Sequence, residues 1–97
     1  MGRNSYPAKM TVNNKIIEEI IIDSHYLDKH SESMNDNIIL GLVKKLDGGI
    51  FIPDDVDNEF EYFKADPIAL DGKKYRLIWL LKKDCSFLGV VNAFRRR

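Results

Sequence analysis

Residues 73–94, KKYRLIWLLKKDCSFLGVVNAF, decide the fold. Lys73 to Lys82 is apolar on both of its faces, which predicts a central strand covered from two sides. Lys83-Asp84 predicts a tight turn into a second strand, Phe87 to Phe94. Working back toward the N-terminus, Asp71-Gly72 is a turn pair suited to hairpins, and Phe60 to Ala65 reads as the strand before it. Ile50 to Ile52 predicts a short strand that stops at Pro53. Sequential strands joined by short turns predict a four-stranded antiparallel meander.

Upstream, the period changes from two to that of a helix. Ile38, Ile39, Leu42, Val43 and Leu46 recur at helical spacing and predict an amphipathic helix over about 35–46. Ser33 and Asp36 have capping-box spacing, with Asp in place of the usual Glu or Gln. Lys44 and Lys45 complement the dipole in the last turn, and Gly48 and Gly49 end the helix. Lys15 to Ile22 (KIIEEIII) reads as a strand, although Ile16, Ile17, Ile20 and Ile21 also fit one helical face. Residues 1–12 carry no pattern and are expected to be a flexible lead-in. The fold class so predicted is α+β. It comprises an N-terminal strand or helix, one amphipathic helix and the meander, in a single domain over 13–97.

The chain has 97 residues, room for one core and no second. It carries 44% hydrophobic and 31% charged residues with three prolines, a globular balance rather than a disordered one. Fifteen basic and fifteen acidic residues cancel, so net charge gives no general support for nucleic-acid binding. The signs are unevenly placed, however. Asp54, Asp55, Asp57, Glu59 and Glu61 crowd one loop, whereas Lys73, Lys74, Arg76 and Arg95 to Arg97 form basic groups. The single Cys85 excludes an internal disulfide and a cysteine-rich zinc site, and its neighbours do not suggest a nucleophile. No stretch approaches the roughly 20 apolar residues of a membrane span. No signal peptide opens the chain, which reads as cytoplasmic with no membrane partner.

Chemistry concentrates in Ser24-His25-Tyr26-Leu27-Asp28-Lys29-His30, which is expected to be a helical turn or an ordered loop. It holds both histidines, and one helical turn would put His25 and Lys29 on the same face. Histidine exchanges protons near neutral pH, and a neighbouring lysine can stabilise charge on a phosphate. Against this stands a surface role in which the segment caps the following helix. A metal site from His25 and His30 with Asp23, Asp28 or Glu32 is the weaker alternative, because a five-residue offset does not align the two histidines. No metal or other cofactor is expected.

A second polar group interrupts the last two strands: Arg76, Asn92 and Arg95. A polar side chain in an apolar strand usually has a hydrogen-bonding reason. Arginines that block further pairing at a sheet edge are the alternative. Among the aromatics, Phe63, Trp79 and Phe94 are expected in the core, while Tyr62 and Tyr75 are open to stacking on bases.

The segment HYLDKH (25–30), the helix, YFKADPIALDGKKYRLIWLL (62–81) and LGVVNAFRR (88–96) together resemble one family. It is the phage and polymorphic-toxin branch of the barnase–EndoU–colicin–RelE-like (BECR) nuclease fold, and the likeness covers about residues 15–96. The resemblance implies a metal-independent endoribonuclease, with tRNA a frequent substrate, whose 2′-hydroxyl attack leaves a 2′,3′-cyclic phosphate. His25 or His30 would be the base, with the other histidine or Lys29 assisting the leaving oxygen. Arg76 and Arg95 would hold the phosphate, with Tyr26 and Tyr75 in the RNA-binding set. Asn92 would fill a catalytic position that is often Ser or Thr in relatives. The implied partners are RNA and a cognate inhibitor or other protein. The rival expectation is a non-catalytic, phage or antitoxin-like protein-binding module that uses the acidic loop 54–61.

Overall fold

The computed structural model describes residues 3–23 and 34–96. Among the described residues, six strands and one helix follow in order: β1 (Arg3–Val12), β2 (Lys15–Asp23), α1 (Asp36–Lys44), β3 (Asp55–Val56), β4 (Phe60–Leu70), β5 (Lys73–Lys82) and β6 (Phe87–Arg96). The strands form one sheet in the order β1-β2-β6-β5-β4-β3. Strands make up 62% of the structure, so the chain is mostly β. The expected α+β meander of four antiparallel strands is therefore corrected to a mixed six-stranded sheet with one short helix.

The correction has three causes. Residues 3–12, expected as a lead-in, are an edge strand. Tyr6, Ala8, Met10 and Val12 are less exposed than Pro7, Lys9 and Thr11, which alternate with them. Asn13 and Asn14 both sit at positive φ (53° and 61°), the turn geometry that joins β1 to β2 as a hairpin. Second, β2 pairs in parallel with β6, from Glu19↔Phe87 to Ile22↔Val90. That pairing joins residues about seventy positions apart and has no local signature. Third, 50–52 is not a strand. The edge strand on that side is Asp55–Val56, inside the expected acidic loop.

Alternation along β5 and its neighbours divides the sheet into two faces. Tyr75, Leu77, Trp79 and Leu81 of β5 are buried, as are Phe63 of β4 and Leu88, Val90 and Ala93 of β6. The parallel pairing brings Ile20 and Ile22 of β2 onto the same face. Ile39, Leu42 and Val43 of α1 complete this core. Gly41 gives the helix its close approach: a Cβ there would lie 3.1 Å from Leu70 Cδ2. Trp79 stacks on Phe63 at 4.1 Å between centroids and meets Phe51 edge-on at 5.3 Å.

The helix runs shorter than the expected 35–46. Its cap is Asn35, whose Oδ1 accepts from Ile38 N at 2.9 Å, in place of the expected Ser33 box. Asp36 in its first turn accepts from Asn4 Nδ2 (2.8 Å) and from the Tyr6 hydroxyl, tying the edge strand to the helix. No helix among the described residues is long and apolar enough to cross a membrane.

Candidate nucleic-acid face

The face of the sheet away from α1 carries the alternate residues. On β5 these are Lys74, Arg76, Ile78, Leu80 and Lys82; on β4, Phe60, Tyr62 and Lys64; on β6, Phe87, Gly89, Asn92, Phe94 and Arg96. The β-bulge between Ile78 and Trp79 inserts one extra residue on β6, which puts Asn92 on this face opposite Ile78. Ile78, Leu80, Phe87, Asn92, Phe94, Phe60 and Tyr62 are all half-buried rather than sealed. Across β4, β5 and β6 the cations of this face are Lys64, Lys74, Arg76, Lys82 and Arg96, against the single carboxylate of Asp66. Cations thus predominate on the β4–β6 part of this face, while Glu19 and Asp23 lie on its β2 side and Lys82 pairs with Glu59 at 3.9 Å.

At one end of the face, Asp66 gathers two guanidinium groups. Its Oδ2 lies 3.3 Å from Arg96 Nη1 and 3.7 Å from Arg76 Nε. The longer distance is an ion pair without a hydrogen bond. Arg76 Nε is buried and has no hydrogen-bond partner, a costly state for a charged donor. The Arg76 guanidinium carbon stands 5.7 Å from the Phe94 ring centroid, a cation–π contact that fixes the fork. Asn92, one register row away, accepts from Ala93 N at 2.9 Å through Oδ1, so its amide nitrogen remains as a donor.

At the other end, Ile21, Leu80, Phe87, Gly89 and Val91 line a groove with Phe60 and Tyr62, and Arg3 and Asp23 stand at its rim. The Tyr62 hydroxyl donates to Asp57 Oδ2 at 3.0 Å, which raises the phenol pKa above its usual value. Asp57 also accepts from the Phe60 and Glu59 backbone amides, and these bonds hold its carboxyl below the usual range.

The expected site residues separate. Arg76 and Asn92 come together on the open face. Arg95 does not join them: it pairs with Tyr75 and therefore points to the helix side, and Arg96 takes the place expected for it. Tyr75 is 4% exposed in the core, which corrects its expected stacking role. Phe94, expected in the core, lies on the open face, because the β6 bulge reverses the alternation after Val91. His25, Tyr26, Lys29 and His30 lie outside the described residues. Among the described residues, no three His, Cys, Asp or Glu side chains gather as metal ligands. Asp66 was missed because its role depends on cross-strand register. No known protein family matches the chain, and no curated protein or solved structure matches it.

Proposed function

We propose that this chain is a metal-independent endoribonuclease that lays single-stranded RNA, tRNA loops among its candidate substrates, across the open face of its sheet. The observation that carries the reading is Arg76. Its guanidinium shares Asp66 with Arg96, one register row from Asn92, on a face with half-exposed aromatic rings. The Arg76 side chain is 31% exposed, and a planar guanidinium matches the geometry of phosphate oxygens. Open sheets that carry aromatic side chains are an established platform for unpaired bases.

In this reading Arg76 and Arg96 hold the non-bridging oxygens, and the Asn92 amide donates to the same group. The charge that develops at phosphorus is stabilised in place. His25 and His30, with Lys29 beside them, carry the two proton transfers. One accepts the 2′-hydroxyl proton as O2′ bonds to phosphorus. The other delivers a proton to the departing 5′-oxygen, leaving a 2′,3′-cyclic phosphate and a 5′-hydroxyl. His25 follows Asp23 by two residues, and Asp23 lines the groove. The site of action is the cytoplasm, where tRNA is found.

The test is incubation of the purified protein with total tRNA in EDTA, followed by mapping of the 3′ ends. Cyclic-phosphate ends that disappear in Arg76→Ala, His25→Ala and His30→Ala are expected. Intact tRNA from well-folded protein would overturn the reading.

One observation favours a second role, docking of a protein partner or cognate inhibitor, at the β3 edge. Ile52 is 89% and Val56 49% exposed, beside Asp54 and Asp55. Exposed apolar side chains flanked by acids suit a basic, partly apolar protein surface. Charge reversal of Asp54 and Asp55 should release such a partner; unchanged binding would remove this role.

A further inference from the structure

We propose that the groove lined by Ile21, Leu80, Phe87 and Gly89 is a nucleobase subsite, seating the base next to the phosphate held by Arg76; this rests on the RNA reading above. Gly89 lies in the floor of the groove. It sits in the centre of a register row between Ile21 of β2 and Leu80 of β5, where every neighbour carries a large side chain. A Cβ at Gly89 would lie 2.8 Å from Leu80 Cδ1, so the glycine lets the Leu80 side chain lie flat across β6 and keeps the groove floor low. The resulting volume is about 340 Å³, in the lower range for small planar ligands.

Three features select a base as the occupant. The floor is apolar, and the walls include the rings of Phe60, Tyr62 and Phe87. Phe60 and Tyr62 lie 6.1 Å apart, and the hydroxyl bond to Asp57 pins the Tyr62 ring. Pre-positioned rings stack a base without first losing rotamer freedom. Positive charge for the neighbouring phosphate comes from one end, where Arg76 and Arg96 stand; at the groove end Lys82 Nζ lies 5.8 Å from the Phe60 ring centroid and 3.9 Å from Glu59 Oε1. Leu80 and Arg76 are four residues apart on one strand, about 13 Å, which a nucleotide with its neighbouring phosphate can bridge.

The experiment measures anisotropy of labelled 2′-O-methyl pentanucleotides, in which the blocked 2′-oxygen prevents cleavage. One carries bases throughout and one is abasic at the central positions. Phe87→Ala should weaken binding of the base-containing oligonucleotide by about tenfold and leave the abasic one unchanged. Its salt dependence should match the parent's. Gly89→Ala, which drives Leu80 into the depression, should have the same effect, and thermal melts establish that both variants fold. Arg76→Ala should weaken both oligonucleotides and lower the salt slope by about 0.7. If Arg76 matters and neither groove variant discriminates the two oligonucleotides, the subsite is overturned while the RNA reading stands. If the parent protein binds neither oligonucleotide, both fail.

Discussion

Replacing Asp66 by Asn tests whether its carboxylate occupies the seat of a phosphate. The Asp66 side chain is 18% exposed and is shared by the side chains of Arg76 (31% exposed) and Arg96 (47% exposed) at 3.7 and 3.3 Å. At these exposures solvent screens each pair to no more than about 1 kcal/mol. Neutralising Asp66 should therefore release about 1–2 kcal/mol of competition for the two guanidinium groups. That corresponds to phosphate binding roughly 5- to 30-fold tighter. The same change should cost at most about 2 kcal/mol of folding stability, the upper bound for the two pairs together, because the amide keeps the shape of the side chain. Titration of inorganic phosphate followed by Arg side-chain NMR signals reads the affinity, and urea unfolding reads the stability. Weaker phosphate binding in the folded Asn variant would refute the reasoning. Asp66 would then be a positioning residue that holds the arginines for their ligand, not a competitor for it.

Other outcomes follow from the same geometry. Arg76→Ala should reduce RNA affinity and cleavage, whereas Arg95→Ala, on the helix side, should change both much less; filter binding at two salt concentrations separates them. Asp36→Ala removes the acceptor of Asn4 and Tyr6 and a favourable charge at the helix N-terminus, and should cost about 1–2 kcal/mol in urea unfolding. If that variant were as stable as the parent, β1 would contribute nothing through this link. Asp57 is held below the usual carboxylate range chiefly by the Phe60 amide, then by Glu59. Its contribution is therefore present above the ordinary carboxylate pKa and is lost as pH falls below roughly 4. Melting temperatures measured down this range should fall more steeply for the parent than for Asp57→Ala.

Local pattern carried some elements and not their assembly. The apolar run 73–82 and the Asp71-Gly72 turn are legible because propensity and burial agree there; both turn residues adopt positive φ, 51° and 78°. Lys15 to Asp23, ambiguous between helix and strand, becomes a strand because β1 and β6 pair with it on either side. Residues 3–12 hold a period-two pattern, but Pro7, Lys9 and the polar start dilute it, as edge strands commonly do. The parallel β2–β6 pair depends on contacts between chain ends and leaves no mark in either segment alone. The candidate site shows the same division. Arg76 and Asn92 stand out as polar residues in apolar strands. Whether Arg95 or Arg96 joins them depends on one bulge residue, since a single-residue shift exchanges the faces of a strand. Phe94 left its expected environment for this reason, whereas Tyr75 is buried because it alternates in phase with Leu77, Trp79 and Leu81, and Asp66 enters only through its place across from Arg76.

The central claim is that RNA lies on the open face of the sheet. Amide chemical-shift mapping with a non-cleavable 2′-O-methyl RNA tests it most directly. The account predicts shifts on the open face, at Phe60, Tyr62, Arg76, Ile78, Leu80, Phe87, Gly89, Asn92, Phe94 and Arg96, and in the segment 25–30, with α1 unmoved. Shifts confined to α1 or to the acidic loop 54–61, or none at saturating RNA, would contradict it.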